Sequence, residues 1–187
     1  TSKINNPTWD IHFENVQVTA GSVTAAQPVI DTAKTTVSYE VTLNKPGDFY
    51  EFTVDAVNDG TIDAMIESVN STINDNPITE LPTYLDYFII YSDGLQIENN
   101  QLLSSGSRET YKVRIEFKKD ISALDLPTSA QEFQFNLILS KRQATSSAKS
   151  VFHPVPASEL LKTNPDGTTP EEKSPYVNYV YGDNQTI

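Results

Sequence analysis

Apolar side chains recur at every second position along most of this chain, and that period restricts it to half-buried β-strands. Trp9, Ile11 and Phe13 alternate with Asp10 and His12. The phase slips at Glu14-Asn15 and resumes at Val16 and Val18, the pattern of a bulge or a bend between sheets. Val37, Tyr39, Val41 and Leu43 make a second strand. Lys45-Pro46-Gly47-Asp48 then places Pro and Gly at the two central positions of a type II turn. Tyr50, Phe52, Val54 and Ala56 run straight out of it and stop at the turn residues Asn58-Asp59-Gly60.

Further strands are predicted over 62–69, 87–91, 111–117 and 133–139. The run Tyr87–Tyr91 is continuously apolar, which suits a strand covered on both faces, and Leu81–Leu85 reads as one helical turn. Seven or eight strands punctuated by turns predict an all-β fold, a jelly-roll or Ig-like antiparallel sandwich over residues 1–153. From Pro154 the composition changes. Pro154, Pro156, Pro165, Pro170 and Pro175 punctuate a polar stretch, so 154–187 is expected to be an extended Pro-rich tail. A short helix is conceivable over Ser158–Lys162, and Tyr176–Tyr181 is β-prone and needs an edge to pair with.

Charge and cysteine usage narrow the function classes. A net charge of −12 opposes binding to nucleic acid or to anionic lipid. With no cysteine, disulfide scaffolds, thiolate zinc sites and thiol nucleophiles are excluded. No apolar run approaches the roughly 18 residues that span a membrane. No signal peptide opens the sequence, so the numbering is expected to start at a processed N-terminus.

Catalytic chemistry finds little support. The two histidines, His12 and His153, are not part of a helical metal pair. His12 lies in the polar phase of its strand, where a solvent-facing side chain is expected. There is no Gly-x-Ser-x-Gly elbow, and 25 carboxylates single out no acidic dyad. Asn58–Asp63 has a faint likeness to a calcium loop but lacks the glutamate at the twelfth position, so a plain turn is the better account. Arg108, Lys112 and Arg114 read as a solvated face. No catalytic residue, cofactor or metal ligand is therefore expected. Most aromatics fall in the apolar phase of strands; Trp9 stands apart, near the N-terminus, as a candidate stacking platform.

Two segments carry a resemblance. Trp9–Val18 followed by Ala20-Gly21-Ser22 looks like the opening of exported Gram-positive surface proteins. Leu43–Val54, then Asn58–Ala64, resembles the Pro-Gly-Asp, Phe, Asn-x-Gly core of the TasA/camelysin-like biofilm-matrix proteins, and the similarity extends over residues 9–145. It implies a jelly-roll sandwich, export, and assembly into extracellular fibres in which the N-terminal segment of one subunit completes the sheet of the next. Trp9, Ile11, Phe13, Val16 and Val18 match that donor stretch; read as residues alone, the stretch is equally the first strand of its own domain. Tyr176, Tyr179 and Tyr181 are a second candidate contact, without support from the family. No zinc-binding helix is present, so a peptidase activity labelled in one member group is not carried over.

Three functions are ranked on this basis. First comes a secreted structural protein that polymerises with identical subunits at the cell surface or in a biofilm matrix. A monomeric surface adhesin or ligand-binding sandwich is second, and a hydrolase last. Assembly by strand donation requires an apolar strand the monomer leaves unsatisfied. An adhesin requires an exposed aromatic or polar cleft with every strand paired inside one chain.

Overall fold

The structure, a computed structural model, describes residues 6–23 and 25–155. Its strands are β1 (Ile11–Gly21), β2 (Val29–Ile30), β3 (Thr36–Leu43), β4 (Phe49–Asn58) and β5 (Ala64–Ile73), then β6 (Asn76–Pro77), β7 (Leu85–Tyr91), β8 (Gln101–Leu103), β9 (Arg108–Phe117) and β10 (Gln131–Gln143). One sheet has the order β1-β4-β9-β7; the other runs β2-β3-β10-β5-β6, with β8 also on β5. All the ladders between named strands are antiparallel. The chain passes between the sheets from β1 to β2, from β3 to β4, from β4 to β5, and at every connection from β6 through β7, β8 and β9 to β10. The result is the expected antiparallel sandwich with jelly-roll-like crossing.

The turn at Lys45–Asp48 forms as read: Gly47 has φ +91° and Asp48 N–H donates to Lys45 O at 3.1 Å. It joins β3 and β4, which lie in different sheets, so it is a corner and not a hairpin. Inward-facing residues of both sheets make the core. Tyr39 on β3 meets Phe52 on β4 edge-on, with ring centroids 4.7 Å apart, and stacks on Phe135 of β10 at 5.1 Å. Phe13, Phe52, Val113 and Leu137 are completely buried beside them. At roughly 1.5–3 kcal/mol for each large side chain removed from water, this layer is the main stabilising term.

Two expectations are corrected. Leu81–Leu85 holds a turn closed by Leu85 N–H to Pro82 O at 3.0 Å, and the 3-10 turn lies just before it at Ile78–Glu80. Prolines at 77 and 82 deprive a longer helix of donors. The apolar run Tyr87–Tyr91 is not covered on both faces. It belongs to β7, an edge strand, and Phe88 on its outer face is 49% exposed. A continuous apolar run reports hydrophobicity and cannot report a strand's place in the sheet order.

The Trp9–Thr19 stretch is seated by the single chain as its own first strand, with Ile11 paired to Asn58 and Phe13 to Ala56. The expected bulge is present: the register shifts between Glu14 and Gln17, and Asn15 has φ 59°. Beyond the bulge Val18 pairs with Phe52 but stays 43% exposed, so the apolar phase that resumes there does not enter the core. Among the described residues, the compact sandwich unit extends to Val151. The proposed helix at 158–162 and Tyr176, Tyr179 and Tyr181 lie outside the described residues, as does the tail beyond Val155.

Candidate functional site: a cleft at Trp9

At one end of the sandwich, the entry to β1, the β2–β3 turn and the end of β10 enclose a cleft of about 310 Å3. Its lining comes from three segments: Trp9 to His12, Thr32 to Thr35, and Lys141. The β2–β3 turn is held from both sheets. Phe13 N–H of β1 donates to Lys34 O at 2.6 Å, and Leu139 N–H of β10 donates to Thr35 O at 3.0 Å. Asp31 fixes the turn from inside, its Oδ1 accepting from the N–H of Thr35 and of Thr36. Lys34 sits there with φ 60°, a left-handed conformation that Gly or Asn adopts at lower cost.

Trp9 is presented by a second device. Asp59 N–H donates to Asp10 O and Thr61 N–H to Thr8 O, both at 2.9 Å. Thr8 N–H returns the contact to Thr61 Oγ1 at 2.9 Å. Gly60 allows this seam, because a Cβ there would stand 2.4 Å from Thr8 O. Asn58, fully buried, organises the turn: its Nδ2 donates to Ile62 O and Leu103 O, and its Oδ1 accepts from Gly60 N–H. The side chain that gave Asn58–Asp63 its faint likeness to a calcium loop is therefore spent on backbone groups. Trp9 itself remains 43% exposed.

His12 departs from the expected solvent-facing side chain, with only 13% of it exposed. Its Nδ1 is 2.7 Å from Asp10 Oδ1 and its Nε2 is 2.9 Å from Glu14 Oε1, with Asp59 Oδ2 at 3.7 Å. A neutral ring has one N–H, whereas both nitrogens here face carboxylates, so the arrangement fits the imidazolium. Burial alone lowers its pKa, but the hydrogen bonds and charges of Glu14 and Asp10 outweigh that and raise it above the usual value. Asp10, His12 and Asp59 also bring three ligand-type atoms within 4.8 Å of one another. Charge pairing with a protonated ring accounts for this cluster without a metal ion.

The network continues over the outer face of the sheet. Arg108 reaches Glu14 at 3.5 Å and Asp55 at 2.8 Å. Asp55, buried, also accepts from Thr110 Oγ1 at 2.7 Å and Asn15 Nδ2 at 3.2 Å. Arg114 lies between Glu51 and Glu116, over the Phe49 ring at 4.0 Å. These groups staple β1, β4 and β9 and are structural. Lys34 and Lys141, by contrast, have no carboxylate within 4.0 Å among the described residues.

Of the predicted contact residues, the structure gathers only Trp9 and Ile11 at the cleft. Phe13 is core, Val16 packs against the core and Val18 is exposed farther along β1. Sequence reasoning passed over Lys141, although a signal exists: it continues the inward phase of Phe133, Phe135, Leu137 and Leu139. The contribution of Thr32–Thr35 had no such signal. No family model, curated protein or solved structure matches the chain. The resemblance to the TasA/camelysin-like proteins rests on the quoted segments alone.

Proposed function

We propose that the protein is an extracytoplasmic surface module, a β-sandwich that binds a carbohydrate ligand in the Trp9 cleft and catalyses no reaction. The observation that carries this reading is the exposed Trp9 side chain, lining a polar cleft on a segment held by backbone hydrogen bonds at Thr8 and Asp10. An indole face stacks well on the apolar face of a sugar ring, while neighbouring hydroxyl and charged groups meet its hydroxyls. Thr32, Thr35, Asp10 and the lysines supply those groups. The first strand supports the same choice, since its largest apolar residues, Ile11 and Phe13, are buried within the chain.

Calorimetric titration against a panel of neutral and acidic oligosaccharides tests it. Saturable binding is expected, lost in Trp9→Ala with an unchanged circular dichroism spectrum. An absence of binding across the panel overturns the reading.

A second reading, secretion as a fibre-forming homopolymer, draws on a different feature. The β1 edge is partly covered, by the turn at Lys34 and by Gln27 Nε2 donating to Val16 O at 3.0 Å. Among the described residues the β7 edge is open over most of its length, its end bridged between Ile90 and Gln96, and it carries exposed Phe88. Open apolar edges are where a further strand adds. Regular fibres in negative-stain electron microscopy, lost in Phe88→Lys, support polymerisation; a clean monomer at all concentrations refutes it.

A further inference from the structure

We infer that the cleft selects an acidic saccharide, one whose ring carries a carboxylate, and that Lys34 and Lys141 receive that carboxylate. The inference rests on the carbohydrate-binding reading above and specifies its ligand.

Charge distribution is the argument. The whole chain has a net charge of −12, so an acidic surface is its default. Within the cleft the balance reverses. The charged side chains of the lining are Lys34, Lys141, His12 and Asp10. Asp10 is taken up by the His12 ring at 2.7 Å, and the ring's other nitrogen is held by Glu14, outside the lining. The two lysines are left with no carboxylate partner among the described residues. They lie on different segments, one in the β2–β3 turn and one at the end of β10, and converge on one concavity beside Trp9.

Neither placement is the cheap one for a solvated lysine. Lys34 holds a left-handed backbone, and Lys141 continues the inward-facing phase of β10. Two ammonium groups without a carboxylate partner among the described residues, beside an aromatic side chain, match a ligand with an anionic group attached to a ring with an apolar face. A neutral sugar uses the platform and leaves the charge unanswered. A bare inorganic anion does the reverse. The lysine stems leave their heads free to adjust, so the carboxylate's position on the ring is set by Trp9 and by the threonine hydroxyls.

The chain has one tryptophan, so its intrinsic fluorescence reports this cleft directly. The experiment titrates the intact protein with digalacturonate, with the neutral disaccharide cellobiose, and with inorganic phosphate as a bare-anion control. Saturable quenching or a blue shift with digalacturonate is expected, at an affinity at least about tenfold above cellobiose. Lys34→Ala with Lys141→Ala should weaken digalacturonate about tenfold or more and cellobiose far less, so that the preference for the acidic disaccharide falls. Raising NaCl from about 0.05 M to about 0.5 M should weaken only the acidic ligand. Equal affinity for both disaccharides overturns the acidic preference and leaves carbohydrate binding standing. No response to either disaccharide removes the carbohydrate reading itself. A response to phosphate equal to that of digalacturonate overturns the saccharide assignment and identifies an anion site. Circular dichroism of the double variant guards against misfolding, and Lys141→Ala alone provides the same comparison without altering the strained turn.

Discussion

Gly60→Ala is a small perturbation with a large local consequence. Gly60 does not have a positive φ, so alanine meets no backbone objection there; the objection is space. The new Cβ would lie 2.4 Å from Thr8 O, 2.9 Å from Asp10 N and 3.1 Å from Thr8 C, all backbone atoms that cannot rotate away. The Thr8–Asp10 segment must retreat by roughly 0.6 Å to bring the closest contact from 2.4 to 3.0 Å. That retreat stretches three hydrogen bonds of 2.9 Å: Asp59 N–H to Asp10 O, Thr61 N–H to Thr8 O and Thr8 N–H to Thr61 Oγ1. Each contributes about 1 kcal/mol net, so weakening all three costs about 2–3 kcal/mol. Alanine recovers about 0.4–1 kcal/mol by restricting the unfolded chain. The expected net loss is about 1–2 kcal/mol, a fall of about 2–8 °C in Tm for a chain of this size. Urea and thermal melts measure it, and the emission maximum of Trp9 should move in the same variant because the segment carrying the ring moves. A Gly60→Ala protein as stable as the parent, with unchanged emission, would refute the steric account of the seam.

Two other predictions concern the charged network. The folded-state pKa of His12 is raised above the unfolded value of about 6.5, so its stabilising contribution is complete below that pH and is lost as pH rises through the raised value. The stability difference between the parent and His12→Gln should therefore shrink as pH rises above about 6.5; a difference that stays constant, in urea melts, argues against an imidazolium. Asp55→Ala removes a buried acceptor from Thr110 and Asn15, two hydrogen bonds worth about 2 kcal/mol together. That loss should persist in about 1 M NaCl, where the exposed Arg108 pair is screened; a loss that disappears in salt assigns the effect to the ion pair instead.

Strands and their inward faces are encoded locally in this chain. Alternation at Val37–Leu43, Tyr50–Ala56, Tyr111–Phe117 and Phe133–Leu139 is a local property, because successive side chains of a strand face opposite ways whatever it pairs with. The bulge at Asn15 and the Pro46-Gly47 turn were legible for the same reason: each is encoded within a few residues. Pairing partners are not local. Only the tertiary structure decided that the Pro46-Gly47 turn crosses between sheets and that the apolar run of β7 lies on an edge. The cleft follows that pattern. Trp9 and Lys141 each broke a local pattern visible in the sequence, but Lys34 and the threonines of its turn did not. Lys34 and Lys141, 107 positions apart, meet at Trp9 because Phe13 and Leu139, on opposite sheets, both bond to the same turn. His12 makes the same point: its partners Asp10 and Glu14 are neighbours two positions away on the same strand face, while its approach to Asp59 depends on where that turn is sewn. Strand periodicity fixes which way a side chain points; what it then faces depends on contacts between distant segments, and those exist only once both sheets have closed.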